Sequence, residues 1–335
     1  MSSVDADRAH VTRRILKLIN FWMTHFTVTI CTAKRPNMFL VALQSLVKLS
    51  VPEGGTLSIA VIENDQTSQS LGVVEEIRKS SPIPVIYYLE PDIGIPQARN
   101  RSIEAAIAEN ADWIAMIDDD EYAEPDWLLQ LYNACVRFNA DVATGPVRQI
   151  CDGTPPHWWK PVADSRNVTG ELRRDAYTNN VLFHSRLVAA DGFALRFDLR
   201  FTFGADDIDF FRRAYEKGAR IVSVAEAKVV ETVPASRLVL GRYLKRNYMV
   251  AGSNSYFGVM HDGRAKTVRR RLPGIVRRLF IGSALVVSGA CIWPVVRLAG
   301  EKAMFKGASS LAKASGSLSG MFGRTSDYYR NIDGA

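Results

Sequence analysis

Three consecutive carboxylates, Asp118, Asp119 and Asp120, follow the apolar run Trp113–Ile117 in the stretch D-W-I-A-M-I-D-D-D-E-Y-A-E-P-D-W. A run of that length reads as a short buried strand. Asp is disfavoured inside strands, so the acids belong at the strand's C-terminal end, which is where open α/β sheets bind ligands. Three adjacent carboxylates repel one another unless a cation neutralises them, and hard divalent cations take oxygen ligands. The competing reading is an acidic turn whose Asp residues cap a helix beginning near Pro125 and Asp126. A second acidic pair, Asp206-Asp207, opens F-G-A-D-D-I-D-F-F-R-R-A, in which Phe210, Phe211 and Ala214 form an apolar helical face. Acids in a first helical turn are favoured by the helix dipole, so this pair too is either a cap or chemistry.

The elements that position these acids alternate. Phe26–Cys31, Leu57–Ile62 and Val85–Tyr88 read as strands, and Asn37–Leu49, Val73–Arg78 and Ala98–Glu109 as the intervening helices. A β-α-β-α-β-α-β order predicts a mainly parallel sheet with helices on both faces. Right-handed crossovers then place Glu63-Asn64-Asp65 and Asp118–Asp120 along one rim of that sheet. A cap needs no such company, whereas a nucleotide site does. Further on, Thr178–Ser185, Ile221–Val224 and Lys228–Val230 read as strands, and Asp152–Asn167 as a loop carrying His157, Trp158 and Trp159. Those tryptophans either stack on a sugar or plug the core.

A chain of 335 residues, 47% hydrophobic and 23% charged, has ample material for a core. Its four cysteines are scattered and contain no C-x-x-C pair, which argues against a disulfide framework or a zinc ribbon. The net charge of +7 owes much to Arg264–Arg278, which holds seven basic residues and no acid. Such a run suits an anionic surface. No nucleic-acid recognition module accompanies it, so no nucleic-acid partner is expected.

The ordered set V-T-I-C-T-A-K-R-P, V-I-E-N-D, I-P-Q-A-R-N-R-S, I-D-D-D-E-Y-A-E-P-D-W and F-G-A-D-D-I-D-F-F-R-R-A resembles the family 2 glycosyltransferases of GT-A fold. Within that family it resembles the bacterial glucosyltransferases of exopolysaccharide, succinoglycan-type, assembly. The resemblance implies a Rossmann-like α/β domain over residues 25–260 and an inverting transfer from a nucleotide sugar, with a UDP-sugar as donor. It implies that Thr32, Arg35 and one or more of Glu63, Asn64 and Asp65 hold base and ribose, with Arg99 facing the phosphates. Asp118 and Asp120 take the D-x-D positions as ligands of Mg2+ or Mn2+, Asp119 is a further cap or sugar contact, and Asp207 is the catalytic base. Three departures stand out. Asp206 replaces a usual Glu, Val229-Val230-Glu231 lacks a His that many relatives carry, and Arg242–Tyr248 lacks the Q-x-x-R-W of processive synthases.

Residues 1–24 contain an interrupted apolar patch after basic residues and read as an amphipathic helix. Residues 261–335 read as a basic and apolar membrane-associating segment. Leu279–Ala299 is about long enough to cross a bilayer, for which ~20 residues are needed, with Pro294 as a kink. It reads as a span, as a kinked interfacial helix, or as a hairpin packed on the catalytic domain. The expectation is an enzyme on the cytoplasmic face of the cell membrane that uses a lipid-linked saccharide acceptor. The alternatives are a nucleotidyltransferase, which lacks its Gly-rich phosphate loop here, and a non-catalytic sugar-nucleotide-binding scaffold, which would not need Asp207.

Overall fold

The structure, a computed structural model, describes residues 23–159, 161, 168–202 and 204–323. The helix expected over residues 1–24 and much of the loop after Trp159 lie outside the described residues.

The expected alternation forms. Strands β1 (Thr24–Thr32), β2 (Gly55–Glu63), β3 (Val85–Leu89) and β4 (Trp113–Asp118) are separated by helices α1 (Pro36–Leu46), α2 (Leu71–Arg78) and α3 (Ile95–Ala108). Then follow β5 (Glu121–Ala123), α4 (Trp127–Phe138), β6 (Val142–Thr144), β7 (Val147–Asp152), β8 (Leu172–Arg173) and β9 (Asn180–His184). The domain continues with α5 (Asp206–Glu216), β10 (Ile221–Ser223) and β11 (Val229–Pro234). The main sheet has the order β3-β2-β1-β4-β9-β6-β10-β8. Its first four strands are parallel, while β9 runs antiparallel between β4 and β6.

Because the sheet is covered on both faces, its strands are apolar on both sides. Phe26, Val28 and Ile30 of β1 pack with Phe39, Leu43, Trp127 and Leu131 of α1 and α4. On the other face, Ile114 and Met116 of β4 pack with Ile103 of α3 and with Phe210 and Phe211 of α5. The order 2-1-4 reverses direction at β1, so a crevice opens beyond the C-terminal ends of β1 and β4. There Cys31 is in register with Asp118, and Thr32 with Glu63.

The helix-cap reading of Asp118–Asp120 fails. The acids are followed by β5, and α4 begins only at Trp127, after Asp126. Strand β5 joins β11 and β7 in a second, three-stranded sheet that the sequence reading did not anticipate. A strand of three residues such as β5 carries too little periodicity to be recognised. This small sheet aligns Glu121, Glu231 and Gln149 across its strands.

Three long helices close the chain: α6 (Leu240–Asp262), α7 (Arg264–Ile292) and α8 (Arg297–Met321). The stretch Leu279–Ala299 is therefore not one helix. It breaks at 293–296, where Pro294 lacks the N–H that a continuing helix needs. The chain turns back there, and Gly282 and Gly289 of α7 lie against Gly307 and Gly300 of α8 in an antiparallel hairpin. Helix α8 in turn runs beside α6, with Gly316 and Gly320 against the backbones of Tyr248 and Gly252. Small residues are what let helix backbones approach this closely. A Cβ at Gly316 would lie 1.9 Å from the Tyr248 carbonyl oxygen. Gly316→Ala is accordingly expected to cost about 1–3 kcal/mol by overpacking, read as a lowered melting temperature. Gly274→Ala, where a Cβ meets nothing within 4 Å, is the control and should be neutral or stabilising.

Candidate active site

At the end of β4 the three aspartates diverge. Asp119 is 6% exposed; it accepts hydrogen bonds from Thr32 Oγ1 at 2.9 Å and from Arg35 at 3.1 Å. Asp120 is paired with Arg237 at 2.7 Å and more loosely with Arg35 at 3.4 Å. Asp118 faces the cleft, and among the described residues no donor reaches its carboxylate. Next to it the buried Glu121 accepts from the Asp118 backbone N–H at 3.3 Å and from Asn179 at 3.1 Å. Glu231, from β11, accepts from Gln149 at 2.7 Å.

Asp118 is the one of the three aspartates with no direct ion pair among the described residues. Burial pushes its carboxyl up to about 7, with Arg99 opposing and Asp120, Asp119 and Glu231 adding to the rise. Burial likewise raises Asp119 to about 6 against the pull of Arg35. Glu121 is raised well above the usual carboxylate range by burial and by the neighbouring acids. Among the described residues no three His, Cys, Asp or Glu side chains converge as a complete metal cage. An all-oxygen pair completed by substrate phosphates and water nevertheless suits Mg2+ or Mn2+, which are held by one or two carboxylates plus phosphate oxygens. Asp118, in no direct ion pair and next to Asp120, fits that arrangement.

The second acidic pair reaches this cleft through Arg99. Helix α3 places the Arg99 guanidinium in the cleft wall, bonded at 2.6 Å to Asp206, which is 1% exposed. Asp206 is not a helix cap: the cap position is Ala205, with φ of 69°, and Asp206 Oδ1 has no donor among the described residues. Asp207 is half-buried and accepts the Ile208 N–H at 2.8 Å. Burial raises its carboxyl to about 6, with Arg99 opposing and Asp206 adding. Neither acid lines the cleft directly.

The Glu63-Asn64-Asp65 turn separates into three roles. Glu63 is fully buried and accepts from Ser70 N at 2.9 Å and from Tyr87 Oη at 2.5 Å, so it braces β2 rather than facing the cleft. Asp65 accepts from Gln66 N and from Gln69, at 2.7 and 3.1 Å. Asn64 lines the cleft; its amide donates to the Glu90 and Asp92 carbonyls and its Oδ1 accepts from Gly94 N at 2.8 Å.

The cleft has a volume of about 420 Å3. Thr32, Arg35, Asn64 and Gly94 line it together with the acids and with Arg237, Arg242, Tyr243 and Arg246, and Arg35 and Arg237 meet at one oxygen of Asp120. Sequence reasoning missed Arg237 and the α6 residues. Arg237 lies in a short turn with no motif, and the Arg242–Tyr248 stretch of α6 was read only for the Q-x-x-R-W that it lacks. The tryptophan ambiguity resolves toward packing: Trp158 stacks on Phe305 of α8 at 4.6 Å and lies 5.1 Å from Tyr243 of α6.

Residues 27–200 match the model of the glycosyl transferase family 2. This chain belongs to that family. It is 32% identical over 230 residues to the succinoglycan biosynthesis protein ExoM of Rhizobium meliloti (strain 1021), covering 67% of this chain and 72% of ExoM. Among solved structures it is similar to the mannosyltransferase PcManGT of Pyrobaculum calidifontis, in complex with GDP-Man and Mn2+. The TM-score is 0.56 at 15% identity, over 94% of this chain and 97% of that one. The chain spans 55% of the length of S. aureus TarS, at 16% identity over 87% of this chain and a TM-score of 0.49. The family 2 chain thus has the GT-A-like mixed α/β fold and is a glycosyltransferase.

Metal binding and pH are linked in this site. Asp118, Asp119 and Asp207 have folded-state values raised above the usual carboxylate range, so each favours the folded state while protonated. That contribution is lost as pH rises through about 6 to 7. A cation held at Asp118 would compete with the proton there. Saturating Mn2+ is therefore expected to raise the melting temperature more at pH 8 than at pH 5. At a hundredfold excess over its dissociation constant the gain is about 2.7 kcal/mol. An equal shift at both pH values would show that Mn2+ binds elsewhere.

Proposed function

We propose that this family 2 enzyme moves one hexose from a nucleotide sugar to a lipid-linked saccharide, with inversion, in exopolysaccharide assembly at the cytoplasmic face of the membrane. The observation that carries the reading is the cleft at the β1/β4 switch point, which Asp118, Asp120 and Arg99 all line, with Asp118 in no direct ion pair. Asn64 and Asp65, with Thr32 and Arg35 across the strand ends, supply the base and ribose end. Glu63 acts behind them as a brace. Asp118 and Asp120 would hold Mg2+ or Mn2+, which when bound supplies positive charge to the donor diphosphate.

The remaining steps belong to the chain's own side chains. Arg237 and Arg35, now paired with Asp120, lie where they can transfer their hydrogen bonds to phosphate oxygens. Arg99 adds fixed positive charge where the leaving diphosphate gains negative charge. An acceptor hydroxyl is a weak nucleophile, so a carboxylate must take its proton as the bond to the anomeric carbon forms. Asp207 has the pKa for that task, and Asp206 ties Arg99 to the same helix turn. One displacement from the face opposite the leaving group inverts the anomeric carbon. UDP-glucose is the proposed donor, on the succinoglycan-type resemblance. The absence of Q-x-x-R-W from Arg242–Tyr248 supports one addition per acceptor.

A thermal-shift screen of nucleotide sugars with and without Mn2+ tests the reading. UDP-glucose with Mn2+ is expected to stabilise the protein more than either alone. No response to any nucleotide sugar would overturn it.

A further inference from the structure

Helix α7 is the outer helix of the C-terminal hairpin, and its outer face is apolar. Thr267, Ile275, Gly282 and Gly289 form its buried stripe. On the opposite side Leu272, Val276, Phe280, Val287 and Cys291 are exposed. Spacings of four, four, seven and four residues put them on one helical face. Phe280 is 74% exposed, Val287 64%, and Val295 in the following turn 85%. An 18-residue window of this helix has a mean hydropathy of 1.7 with only 17% of it buried. A soluble surface does not carry so continuous an apolar stripe without a partner.

The charges around the stripe choose the partner. Arg269, Arg270 and Arg277 stand beside it, and Arg271, partly buried, has its basicity lowered by burial and by Arg270 and Arg278. Asp262 is ion-paired to Arg270 and Lys266, at 2.7 and 3.2 Å, while the Arg264–Arg278 run itself holds seven basic residues and no acid, which suits an anionic surface. A stripe of hydrocarbon between such cations matches a bilayer of anionic lipid, whose acyl boundary takes the apolar face while its headgroups take the charges.

The turn at 293–296 fixes the geometry. Leu279–Ile292 has 14 residues of helix, roughly 20 Å at 1.5 Å per residue, against a hydrocarbon core of about 30 Å. Beyond the turn α8 starts with Arg297, Glu301 and Lys302, and Arg297 is ion-paired to Glu301 at 3.1 Å. End-on insertion would carry these charges deepest into hydrocarbon, at a cost of several kcal/mol. Lying flat keeps them at the surface.

We propose that α7 lies in the plane of one leaflet, its apolar outer face in the acyl boundary and its arginines on anionic headgroups, so that the hairpin docks on the membrane without crossing it. The proposal rests on the membrane acceptor of the functional reading and specifies how that acceptor is reached. Because α8 packs along α6, and α6 forms one wall of the cleft, the docked hairpin sets the height of the cleft above the lipid surface.

Flotation of the full chain with phosphatidylcholine vesicles, with and without phosphatidylglycerol, tests this. Binding is expected to require phosphatidylglycerol, to weaken with salt, and to fall by roughly tenfold or more in Phe280→Asp/Val287→Asp, where charge enters the acyl boundary. Cys291 should react with a soluble maleimide in the free protein and be protected on vesicles, with Cys291→Ser subtracting the other thiols. Unchanged flotation of the double variant would overturn the proposal. So would labelling of Cys291 on bound vesicles, or a wild-type dimer that ignores vesicles and is lost in the variant. The response to UDP-glucose and Mn2+, measured in parallel, separates the two readings: a protein that floats but ignores every nucleotide sugar contradicts only the functional one.

Discussion

Asp207→Asn is expected to lower sugar transfer by roughly 10²–10⁴-fold, the usual contribution of a positioned general base. Donor binding should survive, because Asp207 is not among the residues lining the cleft and bonds the neighbouring Ile208 N–H. The pH dependence gives the assignment a second edge. A base raised to about 6 is protonated below that value, so the wild-type rate should fall as pH drops through it. Asp118, at about 7, titrates in the same window, but saturating Mn2+ displaces its proton. At saturating metal the remaining acid limb belongs to Asp207, and the residual activity of the Asn variant should lack it. Full activity in that variant would remove Asp207 from the chemistry.

Arg99→Met is the second large effect, and it is felt in folding as well as in turnover. The variant strands Asp206, which is 1% exposed and has no other charge-neutralising partner among its hydrogen bonds. Breaking a buried pair from one side costs about 3–5 kcal/mol. Denaturant titration should show that loss, and Asp206→Asn in the same background should recover much of it. Transfer should not recover with it, since the cation beside the leaving phosphate is still missing. Unchanged stability in Arg99→Met would mean that the Asp206 carboxylate finds another donor, and that the coupling between α3 and the Asp206-Asp207 turn is unimportant.

How far the sequence carries differs from element to element. The β1–β4 half was legible because each strand is an apolar run that ends in polar residues, and the crossover rule alone puts those ends on one rim. The rim location of Asp118 followed from that. What the three acids do individually did not, because it depends on partners distant in the chain: Arg35 for Asp119, Arg237 for Asp120. Glu63 was misjudged for the same reason. Its neighbours in sequence are polar, yet Tyr87 on the next strand and Ser70 enclose it. The second sheet was missed because β5 is only three residues long and nothing in the Lys228–Val230 stretch, read as a strand, says that it leaves the main sheet to pair with β5 and β7. In the C-terminal segment, hydropathy reads composition and not direction, so it left a span, a kinked interfacial helix and a hairpin as alternatives, and the turn at 293–296 selects the hairpin. The glycines at 282, 289, 300 and 307 are the sequence signal that favours the hairpin among those alternatives, since they recur where the two arms touch.

The most direct test of the central claim is the anomeric configuration of the first product. With UDP-α-D-glucose labelled with carbon-13 at the anomeric carbon, Mn2+, and membranes carrying the acceptor, NMR of the transferred residue reads the new linkage before any rearrangement. A single displacement assisted by Asp207 gives a β-linked glucose, and Asp207→Asn gives little product of either kind. An α-linked product would contradict the account, because retention requires a second displacement or a nucleophile that the Asp206-Asp207 turn does not supply.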